Sequence, residues 1–308
     1  MSAEGNSTKH IIQSLLVNAA IAAVKTIAAV ITHSGAMLAE ALHSAADCGN
    51  QLLLLLGVRG ARRPADEAHP LGYGRDVYFW SFMVALLLFT GGGVFSIYEG
   101  IHKVRHPEPI ERAWVGLLVL GVSIVLEGMA TYSNIRELNR RRGQKPFFQF
   151  LSDTKDVDLV VVFGENSAAV LGLGLAMIAL FVADRTGDGR FDGVGSIAIG
   201  LVLVGVAIFL AIEVKSLLVG EAADPEIEAA ARKIAGEDPN LERVLHLVTI
   251  QQGPGEVLVA MKVSFSSRLG IDDVSRSINE FEARLRAVRP EVRWIYVEPD
   301  IPRVEERR

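Results

Sequence analysis

Six stretches of this chain are long and apolar enough to demand a hydrocarbon environment, and that limits its fold more than any other feature. Crossing about 30 Å of hydrocarbon at 1.5 Å per residue takes roughly 20 mostly apolar residues in a helix. The segments about 11–32, 36–58, 77–101, 113–134, 157–183 and 193–217 meet that length. The expected architecture over residues 1–217 is therefore an α-helical polytopic membrane protein with six transmembrane helices. An even number of crossings puts both termini on one side. Lys and Arg near the helix ends choose that side. The connections 59–75 and 136–155 carry ten of them, Lys155 included, against five in the opposite loops, so the termini are expected in the cytosol. The first ten residues are polar, and no small-residue cleavage site follows the first apolar stretch. That stretch reads as a retained helix and not as a signal peptide.

After residue 220 the pattern changes. Residues 221–308 hold 17 acidic and 13 basic residues, a net charge of −4 out of −5 for the whole chain. Nothing is basic enough to make nucleic acid a partner. Ile227, Ala230, Ala231 and Ile234 after Pro225 space a short amphipathic helix. Residues 243–251 and 256–265 are Val-, Leu- and Ile-rich and flank Gly253-Pro254-Gly255, a hairpin signal. Val274, Ile278, Phe281, Leu285 and Val288 form a helical stripe, and 292–298 supplies a last strand. The order predicts a small ferredoxin-like α/β domain, αββαβ, over 221–308, with its helices on one face of the sheet. So small a core makes self-association a reasonable expectation. The single cysteine, Cys48, excludes an intrachain disulfide and a cysteine-rich zinc framework.

Ionisable groups inside spanning helices are costly and mark function or pairing. The second helix carries His43 and Asp47, four apart and so on one face. An imidazole nitrogen and a carboxylate on adjacent turns are half of a site for a divalent transition metal. The fifth helix carries Glu165 and Asn166, adjacent and about 100° apart around the axis. Two ligands from each helix would complete a four-coordinate site. The competing reading is that these groups bond each other across helices as glue. Lys25 and Asn18 on the first helix read as glue of the same kind, and Glu127 either pairs with another helix or contributes to proton movement.

The stretch Ser34-Gly35-Ala36-Met37-Leu38-Ala39-Glu40-Ala41-Leu42-His43-Ser44-Ala45-Ala46-Asp47 resembles the cation diffusion facilitators. So do His69-Pro70-Leu71-Gly72-Tyr73-Gly74-Arg75, Tyr98-Glu99-Gly100, Asp192 at the start of the sixth helix, and the αββαβ tail. The resemblance spans nearly the whole chain. It implies a proton-coupled antiporter of Zn²⁺, Mn²⁺, Fe²⁺, Co²⁺ or Cd²⁺, with no enzymatic activity, working in the bilayer as a homodimer whose tails meet. It places the transport site at His43 and Asp47, facing the fifth helix. Many relatives supply a His or Asp there and an Asp four residues later; this chain has Val162 and Asn166. It is closer to a branch related to zinc transporter nine of animals, whose fifth helix reads Glu-Asp, with Asn166 replacing that Asp. With His43 neutral, Asp47 and Glu165 give −2, matching one divalent ion; without it, two carboxylates in low dielectric repel and take up protons. One nitrogen among oxygens suits zinc and also accepts manganese, iron or cobalt. The competing function is a non-transporting scaffold or metal-sensing subunit of the same fold. The expected location is a bacterial inner membrane.

Three weaker signals follow. In some relatives the loop after the second helix holds an accessory metal site; Asp66 and His69 fall there, with Tyr73 at the second His position. The run Asp184 to Asp192 mimics the start of a calcium loop, but Gly195 stands where an acidic twelfth residue belongs, and turn chemistry explains the rest. In the tail, His246 and Glu298 match two of the family's metal positions, while Met261 and Tyr296 replace the others.

Overall fold

The computed structural model describes residues 4–154 and 157–302, so Lys155 lies outside the described residues. Its helical part runs α1 (Glu4–Thr32), α2 (Gly35–Ala61), α3 (Asp76–Leu87), α4 (Phe95–Arg105), α5 (Ala113–Arg142), the short α6 (Phe147–Asp153), α7 (Val157–Thr186) and α8 (Arg190–Val219). A π-helical stretch, Leu88–Val94, joins α3 to α4 without a break. Several helices outrun their apolar stretches. Polar turns such as Arg140–Arg142 extend α5 beyond the hydrocarbon length.

Among the described residues, four helices are long and apolar enough to cross a membrane: Asp76–Arg105, Ala113–Arg142, Leu159–Thr186 and Arg190–Val219. The expected count of six is met only in part. Among the described residues, α1 contributes a shorter apolar helix, Asn18–Thr32. In α2 the polar groups Glu40, His43, Asp47, Asn50 and Gln51 interrupt the apolar run.

Glycines set the closest helix contact. Carbon added at Gly93 would meet Val204 Cγ2 at 2.7 Å, and at Gly200 it would meet the Gly93 carbonyl oxygen at 2.7 Å. Gly100 and Gly193 repeat the arrangement further along: a carbon added at Gly100 would meet the Gly193 carbonyl oxygen at 2.6 Å, and one at Gly193 the Gly100 carbonyl oxygen at 2.9 Å. Small residues at such seams let membrane helices approach backbone to backbone. Gly93 lies within the π-helical stretch, so α8 packs directly on it and on α4.

The start of α2 is fixed by a residue far along the chain. Ser34 caps the helix, its Oγ accepting from the Met37 amide at 3.1 Å. The buried Asp192 of α8 accepts from Ser34 Oγ, from the Gly35 amide, and from the Ala36 amide at 3.3 Å. Lys103 Nζ of α4 lies 3.6 Å from the same carboxylate and donates to the His33 carbonyl. One carboxylate thus joins the α1–α2 turn to α4 and α8.

The α1–α5, α7 and α8 helices form one compact unit; segment 60–77 goes with a second, which holds the tail. In that second unit α9 (Pro225–Gly236) starts at Asp224, whose carboxylate accepts from the Glu226 amide at 2.9 Å. The strands β1 (Leu241–Gly253) and β2 (Glu256–Phe265) pair antiparallel. α10 (Ile271–Val288) then crosses over to β3 (Val292–Pro299), which pairs parallel to β2. The sheet order is β1-β2-β3. Ile227, Ala231 and Ile234 of α9 and Phe281 and Leu285 of α10 pack on Leu247, Val257, Val259, Met261, Val263, Val292 and Ile295 of the sheet. The expected α10 stripe holds at Phe281 and Leu285 but not at Val288, which is 61% exposed at the helix end. Ser277 is buried instead, donating to Asp238.

Segment 60–77 shows why its glycines are there. Gly72 has φ 73°, a left-handed conformation that favours glycine. Gly74 lies against the β1–β2 turn, where a side chain would meet the Gln252 carbonyl oxygen at 2.9 Å.

Candidate metal site

The α2 helix brings Glu40, His43, Asp47 and Asn50 onto one side by their three- and four-residue spacing. His43 is fully buried, and its Nδ1 lies 3.7 Å from Asp47 Oδ1, too far for a hydrogen bond. Both His43 ring nitrogens and Asp47 Oδ1 are buried without a hydrogen-bond partner. Leaving such groups unpaired costs about 1–3 kcal/mol each, so their retention calls for a ligand or a function. On α7, Glu165 accepts from Asn50 Nδ2 at 2.6 Å through Oε1.

Between α2, α5 and α7 lies a cavity of about 710 Å³, lined among others by Asp47, Glu165, Asn166, Glu127, Asn18 and Gln51. Three of the four expected ligands therefore face one space, and the adjacent pair Glu165 and Asn166 both reach it. His43 does not line it, although it sits beside Asp47. Among the described residues, no group of three or more His, Cys, Asp or Glu is close enough to hold an ion. The carboxylate and amide oxygens are thus gathered around a cavity but not closed into a coordination shell.

Two features escaped sequence reasoning. Asn50, one turn beyond Asp47, holds Glu165; its spacing from Asp47 in an apolar helix was the available signal. The second is Glu40 as a member of a buried ion cluster: cross-helix pairing was expected of Lys25 and Glu127, and Lys25 Nζ of α1 donates to Glu40 Oε2 at 3.2 Å, Ser44 Oγ at 2.9 Å and Glu127 Oε1 at 2.9 Å. Lys25 and Glu40 are both fully buried. Glu127 is thus paired across helices, and Glu40, part of the family-like motif, is its neighbour on the ammonium.

Asp66 accepts from the His69 amide and from the Tyr73 hydroxyl, both at 2.7 Å, so its two oxygens serve a turn. The Tyr73 hydroxyl, followed by the His69 amide, holds the Asp66 carboxyl below the usual carboxylate range. The His69 ring stacks on Tyr73 at 4.2 Å. In the calcium-like run Asp192 turns inward to cap α2, and Asp188 accepts from the Arg190 amide at 2.9 Å. In the tail, His246 and Glu298 flank Lys262 in register. Lys262 Nζ lies 2.8 Å from Glu298 and 3.4 Å from Asp300, so an ammonium stands among these groups. Met261 is buried in the core and Tyr296 is exposed.

The apolar helical unit thus holds a cavity lined by carboxylates, and a small sheet domain follows it along the chain. The chain belongs to the cation efflux family, whose transmembrane-domain model matches residues 11–219. Within it the chain is similar to the zinc transporter nine branch. It is 31% identical over 264 residues to the "Proton-coupled zinc antiporter SLC30A9, mitochondrial" of Xenopus laevis, covering 85% of this chain and 47% of that protein. The human counterpart is 28% identical over 263 residues, at 85% and 46% coverage. "Metal tolerance protein C4" of Arabidopsis thaliana is 28% identical over 242 residues, at 78% and 53% coverage. The chain therefore spans about half the length of these relatives.

These relatives correct the expected location. The frog and human proteins are named as mitochondrial, so a bacterial inner membrane is not favoured, while a multi-pass membrane protein stands. Lys and Arg bias reports which way helices insert, not which membrane receives them.

Proposed function

We propose that this protein is an antiporter that exports a divalent metal ion from the compartment holding its termini, in exchange for protons, by alternating access. Zn²⁺ is the first choice of ion, ahead of Mn²⁺, Fe²⁺, Co²⁺ or Cd²⁺. The ligands are His43, Asp47, Glu165 and Asn166. The observation that carries this reading is the cavity that Asp47, Glu165 and Asn166 share, next to a histidine with two unpartnered buried nitrogens. Asp47 and Glu165 together match the charge of one divalent ion. When the ion leaves, two carboxylates in a low-dielectric wall repel each other, and protonation relieves the repulsion. The names of the frog and human relatives, proton-coupled zinc antiporters, support the ion and the coupling.

Six helices over residues 1–217 are proposed to cross the membrane, with α1 and α2 crossing by virtue of their packing around the polar groups they share. Residues 221–308 are proposed as the dimerisation domain. Away from α9 and α10, the sheet carries an apolar row, Val248–Ala260–Tyr296, beside a second, Ile250–Leu258–Trp294. Val248 and Tyr296 are exposed, and a second copy of this face would cover them. A non-transporting scaffold is the competing reading, favoured by Asn166 and by Met261 and Tyr296 in place of metal ligands in the tail. Uptake into proteoliposomes under an imposed pH gradient, with Zn²⁺, Mn²⁺, Fe²⁺, Co²⁺ and Cd²⁺ in competition, decides between them. Saturable flux of one of these ions is expected; no flux of any supports the scaffold.

A further inference from the structure

Lys25 is buried behind the wall of a cavity proposed to carry mobile cations, touching two residues of that wall, Ser44 and Glu127. Its ammonium sits among three oxygens, Glu40 Oε2, Ser44 Oγ and Glu127 Oε1, at 2.9–3.2 Å. Ser44 and Glu127 also line the 710 Å³ cavity with Asp47 and Glu165, while Glu40 lies behind that wall, so Glu127 is the carboxylate that joins the two groups. Glu40 Oε1 is buried and lacks a hydrogen-bond partner. It rests against Gly172 of α7, where a side-chain carbon would come within 2.5 Å of it. The fold thus provides room for a carboxylate with more acceptor capacity than Lys25 uses.

We propose that Glu40, Ser44 and Glu127 form a second cation site that Lys25 fills as a tethered ion, leaving Asp47 and Glu165 as the pair open to the mobile one. This deepens the proposed antiport site and rests on it. Without Lys25 the four carboxylates would total −4, enough for two divalent ions; with it, one divalent ion leaves −1. An ammonium is a compact point charge on a flexible stem, so it can stand where a small cation would. A Zn²⁺ ion would need the same oxygens about 1 Å closer, at roughly 2.0–2.2 Å, within reach of carboxylate rotamers. The tether fixes the load at one mobile ion and keeps Glu127 out of that ion's shell.

The test is the number of Zn²⁺ ions bound per chain, measured by equilibrium dialysis of the full chain in lipid nanodiscs. The wild type is expected to bind about one, and Asp47→Ala none. Lys25→Ala is expected to bind about two, and Lys25→Ala/Asp47→Ala about one. Lys25→Ala/Glu127→Gln, which removes the opened charge pair, should return to about one. Lys25→Arg should stay at about one. If Lys25→Ala misfolds without metal, Zn²⁺ in the refolding buffer is expected to recover it; aggregation with and without Zn²⁺ overturns the proposal. So does a folded Lys25→Ala that binds no more than the wild type. Retention of the wild-type ion by Asp47→Ala instead overturns the antiport site. A gain on removing Lys25 in that background would still support the second site.

Discussion

Asp192→Ala is expected to destabilise the helical unit more than any other single truncation outside the cavity. The carboxylate accepts from Ser34 Oγ and from the Gly35 and Ala36 amides, and it balances Lys103. Loss of a helix cap costs about 0.5–2 kcal/mol. Removing one partner of a buried ion pair costs about 3–5 kcal/mol, because the other charge is left behind. Hydrogen bonds in membrane proteins run lower, near 0.6 kcal/mol on average, so the cap contributes little beyond the pair. A total of about 3–5 kcal/mol follows. At roughly 2–4 °C per kcal/mol for a unit of this size, Tm should fall by about 6–20 °C. Tryptophan fluorescence during heating of the full chain in nanodiscs measures it. Asp192→Asn keeps an acceptor for the amides and should lose about half as much. Lys103→Met in the Asp192→Ala background should recover part of the loss by removing the stranded ammonium. A fall under about 2 °C, or no recovery with Lys103→Met, would refute the reasoning.

Two further outcomes are expected. Gly172→Ala drives a methyl group against Glu40 Oε1 and should cost about 1–3 kcal/mol of overpacking, read as a lower melting temperature. No change would mean that Glu40 moves freely in its place. In the Asp66 turn, a depressed folded-state carboxyl means that the stabilisation is present above the ordinary aspartate value, near 3.9, and is lost as pH falls through the lower folded value. Tyr73→Phe removes the larger cause, so protection of the His69 amide from hydrogen exchange should be lost at higher pH than in the wild type. Equal midpoints would discount the hydroxyl.

Features that depend on position along the chain were legible in the sequence. Apolar length marked the helices, Gly253-Pro254-Gly255 marked the hairpin, and the spacing of His43 and Asp47 placed them side by side. Features that depend on how helices rotate against each other were not. Lys25, Glu40 and Glu127 lie on three helices, and only packing brings their charges together. His43 and Asp47 share a helix face, yet only Asp47 reaches the cavity wall, because a small rotation separates neighbouring turns. Gly93, within the π-helical stretch before α4, packs against Gly200, a partner more than a hundred residues away.

Ion flux is proposed to run through the pair Asp47 and Glu165. Its most direct test is Zn²⁺-driven proton movement in proteoliposomes, read with a lumenal pH dye, for the wild type and for folded Asp47→Ala. The account predicts saturable proton flux in the wild type and none above empty liposomes in Asp47→Ala. Asp47→Ala moving protons at the wild-type rate would contradict it.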